Sequence, residues 1–276
     1  MIKPKFLLTL FFLPFLLNFA WGNEGHKLIA AHAMNLIAPE IGLSKYAVNY
    51  IIEHSVDPDY RKKDYPDEPV RHFIDIDFYG EFLNGNMIKS KETLIAIYGD
   101  SIVTKMGLLP WATSETFDKL SEAFKAKDRD KILLYASDLA HYVGDGHQPL
   151  HATLNYNGQL TNQKGIHFRY EIEMFNRYLD EIEAGLNIEK VHELKTPLTD
   201  IIFDYISESN FEVDIILSAG INATKFSQND EDKYYELLWF RTRHLTVEKI
   251  NQASSMLANM IYTAWIKAGK PDLSSL

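Results

Sequence analysis

Apolar residues recur at intervals of three and four along most of this chain, and hardly any segment alternates residue by residue. The pattern is clearest in HKLIAAHAMNLI (26–37), KETLIAIYGDSIVTKM (91–106), TFDKLSEAFKA (116–126), KILLYASDLAHYVGD (131–145), HFRYEIEMFNRYLDEI (167–182) and TVEKINQASSMLANMIYTAWIKAG (246–269). Each spacing lays an apolar stripe along one face of a helix. Pro, Gly, Asn and Asp gather at 55–71 and 146–166, which predicts loops there. With no Ser/Gly linker, low-complexity tract or repeat, the expectation is an all-α, single-domain multi-helix bundle over residues 21–276.

The first twenty residues, MIKPKFLLTLFFLPFLLNFA, read differently. Two lysines, an apolar run and Ala20 form the layout of a secretory signal cut after a small residue, although Asn18 stands where a small residue is usual. The alternative is an uncleaved anchor, but the run is short for a full span and Pro14 and Asn18 interrupt it. The expectation is therefore a periplasmic or secreted protein whose cleavage after Ala20 frees the amino group of Trp21.

Lys3 and Lys5 leave with the leader and no acid does, so the formal charge falls from −10 to −12. An acidic protein is a poor candidate for gripping nucleic acid or anionic lipid through a broad basic face. Phosphate chemistry would need a local source of positive charge. The absence of cysteine excludes disulfides and thiolate metal sites, which leaves imidazole and carboxylate as ligands.

The ten histidines include two in a telling pattern. In DLAHYVGDGHQPLHA, His141 and Asp145 leave one face of a helix, and His151 follows the break at Pro149. In GIHFRYEIEM, His167 and Glu171 repeat the four-residue step. A single pair of this kind is more often an ordinary ion pair; two pairs with a further His between them offer a cage for more than one ion. The loop SVDPDYRKKDYPDEPVRHFIDID adds Asp57, Asp59, Asp64 and His72 beside Arg61 and Arg71, and taken alone it reads as a solvated charged segment.

WGNEGH, PDYRKKDYPDEPVRHFID, HYVGDGHQPLH and GIHFRYE, in that order, resemble the trinuclear zinc phosphodiesterase superfamily. It contains the single-strand-specific nucleases of fungi and plants and the bacterial zinc-dependent phospholipases C. The resemblance covers residues 21 to about 180. It implies three zinc ions in a cleft between helices, with Trp21 as the mature first residue and a ligand through its amine and carbonyl. Trp21 and His26 would hold one ion with Asp145 bridging. Asp59, His72, His141 and Asp145 would hold a second, and His151, His167 and Glu171 a third. Asp57 competes with Asp59, and His32 with His26. His54, His192 and His244 are expected at the surface or in packing, and His147 in the loop or behind the ligands. The implied reaction is phosphodiester hydrolysis by a zinc-bridging hydroxide, with Arg61 stabilising charge on the phosphoryl group.

Two substrates compete. In the nucleases an aromatic and an acid at the positions of Phe73 and Asp75 stack on a base and bond its edge, which favours unpaired strands; Phe73 as simple packing is the alternative. Glu171 departs toward the phospholipases, since the nucleases carry Asp there, and the nuclease disulfides cannot form in this chain. The segment Leu108, Leu109, Pro110, Trp111 either dips into a membrane or forms a buried turn. Single-stranded DNA or RNA is the preferred substrate and phospholipid the alternative, in a monomer with no dedicated protein partner. A non-catalytic zinc protein is the third reading. Residues 180–276 are expected to supply helices behind the site.

Overall fold

Helices make up most of the computed structural model, which describes residues 21–187 and 190–273, and no strand occurs among the described residues. The leader, residues 1–20, lies outside them. The first helices are α1 (Gly22–Ile41), α2 (Lys45–His54), α3 (Asp57–Arg61), α4 (Gly80–Leu83), α5 (Lys91–Tyr98) and α6 (Asp100–Lys105). Then come α7 (Leu109–Ala126), α8 (Arg129–Gly146), α9 (Ile166–Phe168), α10 (Phe175–Arg177) and α11 (Leu179–Ala184). Three longer helices finish the chain: α12 (Leu198–Phe211), α13 (Val213–Ser227) and α14 (Glu231–Lys267). The expected all-α single domain is what forms, and none of these helices is long and apolar enough to cross a membrane.

Local chemistry sets several boundaries. Side-chain oxygens of Ser44, Ser90, Asp128 and Asp230 accept backbone N–H groups in the first turns of α2, α5, α8 and α14. Such caps contribute about 1 kcal/mol each. The helix expected over 91–106 is two, α5 and α6, because Gly99 sits at φ 88, a region open to glycine and costly for other residues. The run expected over 167–182 is also divided: Arg169–Met174 between α9 and α10 widens into a π-helical turn, and Tyr178 leaves helical geometry before α11. The predicted 55–71 loop contains the short α3, which is capped by no side chain but starts with Asp57 and Pro58.

Helix α8 is the axis of the bundle. From Ala136 to Gly146 every residue is buried, which requires partners on all sides. Those partners are α1, α2, α7 and α14. α14 in turn packs on α1, α7 and α13, so the C-terminal helices do lie behind the elements that carry the candidate ligands. The Leu108–Trp111 segment is the buried or half-buried start of α7, where the Trp111 indole donates to the Lys89 carbonyl; it is a turn in the packing.

Candidate metal centre

Five separate pieces of chain deliver the candidate ligands to one buried volume. α1 brings Trp21 and His26, α3 brings Asp59, the short helical turn Pro69–Arg71 delivers His72, α8 carries His141 and Asp145, and the segment from Pro149 to Glu171 supplies His151, His167 and Glu171. All nine residues are buried, at 5% exposure or less. Gly144 makes the α1–α8 approach possible: a Cβ there would lie 2.9 Å from His26 Nδ1, and its carbonyl accepts the Trp21 indole N–H at 2.9 Å.

The ligand atoms form three groups, each within 4.8 Å: His26, His141 and Asp145; Asp59, His72 and His141; and His151, His167 and Glu171. The first two share His141. In the second, His72 Nδ1 lies 2.9 Å from His141 Nε2, 3.0 Å from Asp145 Oδ2 and 3.5 Å from Asp59 Oδ1. In the third, His167 Nε2 lies 2.6 Å from Glu171 Oε1 and 3.1 Å from His151 Nε2. The Trp21 backbone nitrogen lies 3.3 Å from Glu171 Oε2, and the Trp21 carbonyl accepts the Gly25 N–H. His26 stacks on His141 at 3.9 Å between ring centroids, with Nε2 3.5 Å from Asp145 Oδ1.

These atoms are close but poorly paired with one another. Both nitrogens of His26, both carboxylate oxygens of Asp145 and Nδ1 of His167 are buried without an aligned hydrogen bond. Such orphaned groups cost roughly 1–3 kcal/mol each, more when charged, unless something else meets them. A metal ion meets lone pairs from several directions at once, so the residues fit one, and these clusters could bind metal ions. Two other imidazoles in the cluster are held as metal-ligating imidazoles usually are. His141 Nδ1 donates to the Ser55 carbonyl at 2.8 Å and His151 Nδ1 to the His72 carbonyl at 2.6 Å, which leaves Nε2 of each as the lone pair facing the cluster.

Charge is balanced sharply inside the cluster. Burial disfavours the Asp145 carboxylate, but His141 and His151 outweigh it and hold its pKa well below the ordinary value. Burial likewise opposes protonation of His151, and Asp145 and Glu171 overcome it, pushing its pKa up to about 9. His26 moves the other way, well down, through burial and the neighbouring His141. At the rim, burial and the nearby Asp77 push Asp75 up to about 7.

The structure places the alternative residues differently. Asp59 is buried in the cluster, whereas Asp57 is half-exposed and bonds His54 at 2.8 Å. His26 is in the cluster, and His32 is half-buried in none of its groups. His192 and His244 are exposed, and His54 stacks on Tyr50. His147 is buried behind the ligands, stacked on Tyr205 and donating to the Val143 carbonyl. Phe73 is half-buried and Asp75 buried. Arg61, expected to face a phosphoryl group, is held by Asp138 at 2.8 Å and Glu68 at 3.6 Å.

Three neighbours escaped the sequence reading. Lys62 Nζ lies 2.6 Å from Asp59 Oδ1, Gln148 Nε2 donates to Glu171 Oε2, and Glu68 Oε1 lies 3.3 Å from His72 Nε2. Lys62 stands three residues beyond Asp59 and Glu68 four before His72, so helical spacing was the available signal for both. No family model and no curated protein matches this chain.

Proposed function

We propose that this protein is a secreted zinc-dependent phosphodiesterase, an endonuclease hydrolysing single-stranded DNA or RNA. The observation that carries the reading is the set of three buried His/carboxylate groups, two of them fused through His141, with lone pairs left unmet. Its motifs resemble the trinuclear zinc phosphodiesterase superfamily in order and spacing. Three zinc ions would be held by Trp21, His26 and Asp145; by Asp59, His72, His141 and Asp145; and by His151, His167 and Glu171.

Zinc supplies Lewis acidity and lowers the pKa of water toward neutrality, which makes a side-chain nucleophile unnecessary. The chain's own groups orient and select. The half-buried Phe73 ring offers a stacking face for an unpaired base, and Asp75, with its pKa near 7, offers a carboxyl that both donates and accepts at the base edge. Arg61 pairs with Glu68 and Asp138 at the border of the cluster and adds positive charge there.

One residue favours phospholipid instead: Glu171, whose longer side chain spreads its two oxygens between His167 on one side and Gln148 and the Trp21 nitrogen on the other. The test is to give processed, zinc-saturated protein single-stranded DNA and phosphatidylcholine vesicles in parallel, with and without chelator. Chelator-sensitive cleavage of DNA alone is expected. Release of phosphocholine alone makes the protein a phospholipase C, and hydrolysis of neither substrate defeats the phosphodiesterase reading.

A further inference from the structure

We infer that Glu68 is the positioning residue for His72: its carboxylate accepts the Nε2–H of His72 and so fixes Nδ1 as the metal-binding nitrogen. The inference rests on the cluster being a metal site.

The two nitrogens of His72 face different surroundings. Nδ1 points into the cluster, with Asp145 Oδ2, His141 Nε2 and Asp59 Oδ1 at 3.0, 2.9 and 3.5 Å. Nε2 points away from it, 3.3 Å from Glu68 Oε1, and has no aligned partner among the described residues. An imidazole that gives Nδ1 to a metal carries its proton on Nε2, and a buried N–H needs an acceptor. Glu68 is placed to be that acceptor. His141 and His151 follow the same rule with backbone carbonyls as acceptors, so a carboxylate at His72 completes a pattern already present at two ligands.

Glu68 is itself held in place. The Tyr142 hydroxyl donates to its Oε1, and Arg61 Nε lies 3.6 Å from its Oε2. Arg61 donates to Asp138 at 2.8 Å, while Arg71 bonds the Tyr142 hydroxyl at 3.2 Å and Glu115 at 3.0 Å. This frame leaves the carboxylate little freedom to leave His72. It also gives the ligand a partner with full negative charge, which raises imidazole basicity more than a carbonyl does.

The test uses the full processed protein and zinc alone. Glu68→Gln keeps size and hydrogen-bonding capacity but removes the charge, and should weaken one of the bound zinc ions about 10- to 100-fold in chelator competition. Cobalt substituted at that position should show an altered visible spectrum in the variant. Glu115→Gln, in the same network but away from His72, should change neither. In the wild-type zinc protein, 15N NMR should find the His72 proton on Nε2; this holds the inference open to refutation even if Glu68→Gln folds poorly. Unchanged zinc affinity and cobalt spectrum in Glu68→Gln, or a proton on Nδ1, overturns the role of Glu68 and leaves the metal site standing. Failure of the wild-type protein to bind zinc overturns the site and the inference together.

Discussion

Two buried polar regions lie side by side in this protein and are built on opposite principles. In the network of Arg61, Glu68, Asp138, Tyr142, Arg71 and Glu115, carboxylates meet guanidinium or hydroxyl donors, and burial of charge is offset from within. Burial opposes ionisation of Glu68, yet the neighbouring His72, the Tyr142 hydroxyl and the Arg61 charge hold its pKa down at about 2. In the adjoining cluster, carboxylates meet imidazoles that also face one another, and several lone pairs have no aligned donor. The first region largely satisfies its own charges; the second leaves lone pairs that cations from outside could meet. His72 sits on the boundary, with one nitrogen in each.

The sharpest separation should come from Asp145→Asn. Loss of this shared carboxylate should lower phosphodiesterase activity on the order of 100- to 10,000-fold, with reduced zinc content by mass spectrometry. Glu115→Gln, at the exposed edge of the network, should stay within about twofold of wild type, since peripheral substitutions shift energies by under ~0.5 kcal/mol. A chain beginning Met-Trp should lose the ion assigned to Trp21 and most of its activity; full zinc content there removes the terminal amine from the ligand set.

Arg61→Met should act on stability before chemistry. Leaving Asp138 and Glu68 without their cation should cost about 1–3 kcal/mol in denaturant unfolding, discounted for the partial exposure of Arg61, while zinc content persists. If activity collapses with stability intact, Arg61 reaches the substrate and belongs to the reacting side of the boundary. The smallest effect concerns Asp75. Its folded pKa of about 7 lies above the ordinary 3.8, so the unfolded chain gives up this proton first. Between about pH 4 and pH 7 the wild type therefore loses stability as pH rises. Asp75→Asn should remove that slope and be the more stable form at pH 8. Equal melting midpoints at pH 5 and pH 8 for the two proteins would show that Asp75 is ionised normally.

The candidate-ligand side of the boundary was largely legible in the sequence. His141 with Asp145 and His167 with Glu171 announce themselves because a four-residue step on a helix puts two side chains on one face. The choice between Asp57 and Asp59 was not legible, because α3 is short and only its packing on α8 decides which carboxylate turns inward. The network was hidden for a related reason. Arg61, Glu68 and Asp138 come from a loop region and a helix far apart in the chain, and no periodicity links them. The division of 91–106 at Gly99 and the π turn at Arg169–Met174 are backbone adjustments that an apolar stripe does not encode.

The most direct test of the central claim is the zinc content of the processed protein, weighed by native mass spectrometry after dialysis against zinc and then against metal-free buffer. Three zinc ions retained per chain, and lost on chelation, is the result expected from the three buried groups. A protein that retains no zinc, folded and unchanged in melting temperature by added metal, would contradict the account at its root.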